Sequence, residues 1–143
     1  MICAGKSQIP RITSVTCPCG SDVPYGRCCG PYLDAGALPG TAVGLMRSRY
    51  TAYVLERAEY LLQSWHASTR PVSLALTEAP AIKWLGLEIV NTHAGGALDQ
   101  TGTVEFVARY KVRGKAERLH EISRFIRQDG QWFYLEGDLD LHR

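Results

Sequence analysis

Four of the chain's five cysteines fall within thirteen residues, in Cys17-Pro18-Cys19-Gly20-Ser21-Asp22-Val23-Pro24-Tyr25-Gly26-Arg27-Cys28-Cys29-Gly30. Thiolates are soft ligands, and four of them carried on turns rich in Gly and Pro are what a tetrahedral zinc site requires. Local disulfides fit less well, because a bridge between the vicinal Cys28 and Cys29, or across Cys17 and Cys19, is strained. Redox-active or merely buried thiols are the competing reading. Zinc held by four thiolates is net negative, and backbone N–H groups near Gly20 and Ser21, with the Arg27 guanidinium, are placed to offset it. Every position is then filled by protein, which leaves no place for water and makes the metal structural. The expected ligands are therefore Cys17, Cys19, Cys28 and Cys29, and Cys3 is left over.

A second candidate site lies in the C-terminal half, where the hydrophobic period changes from 3.6 to 2. Strands are expected at Trp84–Thr92, Thr103–Arg113, Ala116–Gln128 and Gln131–Glu136, with two-residue turns at Gly114-Lys115 and Asp129-Gly130. Counting outward from those turns sets Arg109 opposite His120, Glu105 opposite Arg124 and Phe125 opposite Tyr134. Val104, Phe106, Ala108, Tyr110, Leu119, Glu121, Ser123, Phe125, Trp132 and Tyr134 then share the more aromatic face, which is expected to be concave and to face the helices. In that apolar frame Glu121 is a candidate general acid or base, since such surroundings favour the neutral carboxyl. The competing reading pairs it with Arg47 or Arg49 as a structural ion pair. Tyr53, Trp65, Tyr110, Glu121, Ser123 and Tyr134 are the expected pocket residues, with Trp65 serving alternatively as a lid over the core. The sequence presents no full catalytic set. A Gly-rich phosphate loop, a Gly-x-Ser-x-Gly elbow and a His-Glu-x-x-His helix are all absent from the sequence.

The elements that must hold these residues begin with a lead-in over 1–15, a knuckle over 16–34 and a connecting turn over Pro31–Gly40. Thr41 is placed to cap a first helix from Ala42 to about Leu55. Val43, Met46, Tyr50, Tyr53 and Val54 form its apolar stripe, with Arg47, Ser48 and Thr51 opposite. A second helix is expected over Glu56–Trp65, ending before Arg70-Pro71. Residues 71–83 carry no assignable period. Helices followed by an antiparallel meander indicate an α+β fold, with helices packed on a curved antiparallel sheet over residues 40–143. With 45% apolar and 21% charged residues, the 143-residue chain suits one domain and a small appendage. Met1–Lys6 lacks a basic region followed by an apolar core, so the expected location is cytoplasmic, where thiols stay reduced. Twelve of the sixteen basic residues are Arg, but a net charge of +2 disfavours nucleic acid as a partner.

Cys17-Pro18-Cys19-Gly20-Ser21, Pro24-Tyr25 and Cys28-Cys29-Gly30 resemble the SEC-C motif, the zinc-binding tail of the preprotein translocase ATPase. Leu45-Met46-Arg47-Ser48-Arg49-Tyr50-Thr51-Ala52-Tyr53, Trp65-His66, Trp84-Leu85-Gly86-Leu87-Glu88-Ile89, Val104–Tyr110, Ser123-Arg124-Phe125 and Trp132-Phe133-Tyr134 resemble the YchJ family. The resemblance spans about residues 16 to 138. It implies a zinc knuckle joined to a cone-shaped domain similar to nuclear transport factor two. Many SEC-C motifs have Gly then Lys where this chain has Asp22-Val23, which weakens the basic contact surface. Some relatives carry a second knuckle at the C-terminus, whereas this sequence ends in Leu141-His142-Arg143. The expected function is a zinc-binding adaptor whose knuckle meets a protein partner, an export chaperone or the ribosome by resemblance, with a small-ligand pocket in the cone. The alternative is a small-molecule hydrolase, dehydratase or isomerase working through Glu121. No membrane partner is expected, and cones of this kind often form homodimers through the outer sheet face.

Overall fold

The computed structural model describes residues 15–77 and 80–139. Most of the lead-in, with Cys3, lies outside those residues. After the cysteine-bearing loop, α1 spans Gly30–Asp34, α2 spans Ala42–Val54 and α3 spans Ala58–Gln63. The strands β1 (Ile82–Ala94), β2 (Thr101–Val112), β3 (Lys115–Gln128) and β4 (Gln131–Leu139) follow. They form one antiparallel sheet in the order β1-β2-β3-β4. Register shifts between Trp84 and Gly86, Ile89 and Asn91, and Arg124 and Phe125 mark bulges that bend the sheet around α2.

The α2 helix starts where Thr41 caps it, its Oγ1 accepting from Gly44 N at 3.1 Å. Leu45, Met46 and Tyr50 are buried, and so are Ser48, Arg49 and Thr51. The expected polar side of α2 therefore does not face solvent. α3 and the cysteine loop cover it, and its polar groups are satisfied locally: Ser48 Oγ donates to Leu45 O at 2.8 Å and bonds Tyr60 Oη at 2.6 Å.

Two further expectations about helices are corrected. A short helix, α1, occupies part of Pro31–Gly40, with Pro31 in its first turn. The second helix is shorter than Glu56–Trp65, because Glu56 takes a φ of 59° and Trp65 leaves the helix to bridge Tyr134 in parallel. His66 N donates to Tyr134 O and Tyr134 N to Ser64 O, both at 2.8 Å. The edge of β4 is thereby covered at this point.

The Asp129-Gly130 turn forms as expected, and Phe125 lies opposite Tyr134. The other hairpin turns at Arg113-Gly114, one residue earlier, with φ values of 55° and 77°. The β2–β3 register consequently differs by two residues from the expected one: Val107 faces His120, Glu105 faces Ile122 and Thr103 faces Arg124. A two-residue difference preserves the faces. Val104, Phe106, Ala108, Ser123, Phe125 and Trp132 are buried on the helix-covered side. On the outer side, Glu105 Oε2 meets His120 Nε2 at 2.7 Å, Arg109 meets Glu88 at 3.4 Å, and Arg124 meets Glu136 and Asp138 at 3.3 and 2.8 Å. Arg109–His120 and Glu105–Arg124 are not the cross-strand pairs. The Arg109 and Arg124 pairs, a third or more exposed on both sides, contribute little to stability.

Candidate functional site

The cysteine loop folds back on itself through local backbone bonds. Cys17 N donates to Val23 O at 2.8 Å, Tyr25 N to Val15 O at 2.7 Å and Cys28 N to Tyr25 O at 3.0 Å. The reversal needs φ of 84° at Gly20 and 65° at Asp22. A side chain at Gly20 would also meet Leu87 O of β1 at 2.9 Å. Glycine is thus required both by the turn and by close packing on the sheet.

The result brings Cys17, Cys19, Cys28 and Cys29 together, with all four Sγ atoms within 4.8 Å of one another. Cys19 and Cys28 Sγ are 3.5 Å apart. A tetrahedral ion bound at about 2.3 Å spaces its sulfurs by roughly 3.8 Å, so the donor set fits a four-sulfur metal site. None of the four is disulfide-bonded. Cys17, Cys19 and Cys29 are buried, and Cys28 is half-buried.

Groups around the sulfurs come mainly from α2. Thr51 Oγ1 donates to Cys29 Sγ at 3.3 Å and lies 3.6 Å from Cys17 Sγ. Arg47 Nη1 donates to Cys19 O at 2.8 Å, with Cys19 Sγ at 3.9 Å. Ser21 Oγ lies 3.0 Å from Cys28 Sγ. The guanidinium that offsets the thiolates is therefore that of Arg47, while Arg27 is exposed. Hydrogen bonds from Cys17 and Cys29 hold the Cys19 thiol well below its ordinary pKa, and the same sharing, with burial, holds Cys29 well above. Burial pushes Cys28 up to about 11. Sequence reasoning missed Arg47 and Thr51; their i, i+4 spacing on α2, beside Ser48, was the available signal for a second buried face.

Between α2 and the concave sheet face is a cavity of about 310 Å³, lined among others by Arg49, Tyr50, Tyr53, Trp65, Trp84, Phe106, Glu121, Ser123 and Tyr134. Five of the six expected pocket residues meet there. The sixth, Tyr110, does not line it. Trp84 of β1 interposes, its ring 5.7 Å from Tyr50, 5.8 Å from Tyr53 and 5.5 Å from Tyr110. Glu121 Oε2 accepts from Ser123 Oγ at 2.8 Å and from Tyr134 Oη at 3.3 Å. It makes no ion pair with Arg47 or Arg49 among the described residues. Arg49 is packed over the rings of Trp65 and Tyr134, at 4.9 and 4.6 Å. Burial holds its pKa below the usual arginine value. Burial likewise raises Tyr53 and Tyr134. A larger, open groove of about 520 Å³, lined by residues of α1, α3 and β4, contains none of the expected site residues.

The family model described as "YchJ, middle NTF2-like domain" matches residues 41–137, and that of the SEC-C motif matches residues 15–31. A "UPF0225 protein" of Chromobacterium violaceum is 55% identical over 123 residues, covering 85% of this chain and 90% of the relative. Another, of Ralstonia nicotianae, is 50% identical, covering 88% and 92%. The solution structure of a SEC-C motif containing protein from Rhodopseudomonas palustris is similar with a TM-score of 0.76 at 31% identity, over 87% of this chain and 98% of that one. No helix among the described residues is long and apolar enough to cross a membrane.

Proposed function

The chain belongs to the YchJ family, and from that premise we propose that it is a zinc-stabilised binding protein whose cysteine knuckle docks a protein partner. The observation that carries the reading is the closed donor set: four sulfurs within 4.8 Å, backed by Thr51, Arg47 and Ser21. Four sulfur donors in tetrahedral reach favour zinc over harder divalent ions. With protein on every side the ion has no open position, so it shapes the knuckle and does no chemistry. Docking is supported by the knuckle's outer rim, where Val15 is 52% and Val23 37% exposed beside the exposed Arg27. The partner class suggested by the SEC-C resemblance is an export chaperone or the ribosome.

Val23→Asp with Arg27→Glu changes that rim and leaves all four cysteines in place. The expected outcome is unchanged zinc content and thermal midpoint, with loss of the partner that the unmodified protein captures. Undiminished capture of the same partner would count against docking through the rim.

A second reading, a hydrolase, dehydratase or isomerase in the cone, is supported by the cavity. Glu121 is the group there able to move a proton. For any substrate found by screening, Glu121→Gln is expected to abolish turnover while zinc content stays constant. Retained turnover would remove the reading.

A further inference from the structure

We infer that the cone cavity takes a neutral molecule with an apolar ring and a head group that both donates and accepts a hydrogen bond, a primary carboxamide being the simplest. This rests on the cone being a ligand site, which the second reading above also requires, and it is independent of the knuckle.

The lining carries one charge of each sign, Arg49 and Glu121. They stand on either side of Tyr134, whose ring lies 4.6 Å from the guanidinium and whose hydroxyl donates to Glu121 at 3.3 Å. The two charges offset each other across that ring, so the lining has no net charge. A charged ligand entering it is stripped of water without a counter-charge of its own, which is costly. A carboxylate would face Glu121, and an ammonium would have to share Glu121 with Arg49. The occupant that fits is neutral.

Geometry assigns the polar end. Ser123 and Tyr134 both donate to Glu121 Oε2. Gly137 of β4 lies so close on that side that an added Cβ would overlap the same oxygen. The carboxylate is thereby fixed, and Oε1 is left as an open acceptor among the described residues. Tyr53 Oη has no partner among them either, and burial raises its pKa, so it stays a protonated donor. Arg49 offers a ligand little, being 4% exposed with Nη1 committed to Leu61 O and Ser64 Oγ. One acceptor on the sheet and one donor on α2 are complementary to a carboxamide, which carries N–H and C=O side by side. Met46, Tyr50, Trp84, Phe106 and Leu119 supply apolar wall for the ring. About 310 Å³ is the lower end of the range for ligand pockets and suits one ring on a short chain.

Phenylacetamide, phenylacetate and phenethylamine share a shape and differ in charge. Each is titrated into the ¹⁵N-labelled full-length protein while the tryptophan indole N–H signals are followed. Trp84 lines the cavity, so phenylacetamide is expected to move its signal saturably. The signal of Trp132, whose Nε1 donates to Gly40 O at 3.2 Å, should stay nearly still. The acid and the amine are each expected to bind roughly tenfold or more weakly than the amide. Tyr53→Phe keeps the ring and removes the donor, and is expected to weaken phenylacetamide roughly fivefold, the worth of one hydrogen bond. Glu121→Gln keeps the size and removes the charge. Arg49 is then left without its offset, and phenylacetate is expected to bind at least as tightly as the amide. If the acid or the amine binds the unmodified protein as tightly as the amide, the inference is overturned while the cone remains a ligand site. If none of the three gives a saturable shift, both fail. An amide affinity unchanged in Tyr53→Phe, or an unchanged order of ligands in Glu121→Gln, also overturns it. The comparison of the three ligands stands without any variant, should either not fold.

Discussion

Chelation of the metal is expected to lower the thermal midpoint by about 10 °C or more, equivalent to roughly 3 kcal/mol for a chain of this size. Structural zinc contributes about 10–16 kcal/mol to the folding of isolated knuckles. Here part of that is offset, because the loop is also held by packing: Cys17, Cys19, Tyr25 and Cys29 belong to the same buried cluster as Leu45, Met46 and Tyr50 of α2. Losing the ion leaves thiols and thiolates crowded against Thr51 and Arg47, so α2 is released on its knuckle side. Cys29→Ser is expected to match chelation, since Cys29 is 1% exposed and Thr51 bonds to it. Cys28→Ser, at the half-buried position, should also lose the metal and fall to about the midpoint of the chelated protein. The check is differential scanning calorimetry with and without chelator on each variant. A midpoint indifferent to chelator in the unmodified protein would show that the metal contributes nothing to the fold.

The second large effect is expected from Gly102→Ala. Gly102 of β2 crosses Gly95, and a Cβ at Gly102 would overlap the Gly95 Cα and lie 2.7 Å from Gly95 N. Gly95 has nowhere to retreat. Its N donates to Thr101 O at 3.0 Å, its carbonyl accepts Ala42 N at 2.9 Å, and a Cβ there would come 2.8 Å from Ala42 Cβ. The contact is backbone on backbone, so no rotamer relieves it. Overpacking of this kind costs about 1–3 kcal/mol, and here the upper end applies because the start of α2 must move as well. Gly40→Ala, where an added Cβ meets nothing within 4 Å, should stay within about 0.5 kcal/mol. Equal midpoints for the two variants by thermal denaturation would contradict the crossing.

What the sequence disclosed was what local chemistry decides. The cysteine spacing, the Thr41 cap, the Asp129-Gly130 turn and the two-residue alternation of the sheet each follow from a few neighbouring residues. Long-range packing decided the rest. Arg47, Ser48 and Thr51 read as the side opposite the apolar stripe until α3 and the knuckle cover them, which no helical period reveals. Trp65 leaves its helix because β4 offers a backbone partner at Tyr134, and Tyr110 is excluded from the cavity by Trp84 on another strand. The hairpin at Arg113-Gly114 puts an arginine at positive φ, which signals such a turn less strongly than the aspartate of Asp129-Gly130, and the turn lies one residue before the expected position. The shift altered the outer-face pairs and spared the cavity, since the faces survive a two-residue change of register.

The central claim is a single zinc ion held by Cys17, Cys19, Cys28 and Cys29. X-ray absorption at the zinc edge, on protein purified without chelator, tests it most directly. One zinc per chain with four sulfur neighbours at about 2.3 Å is the expected result. Protein without metal, or an ion with oxygen or nitrogen in its shell, would contradict it.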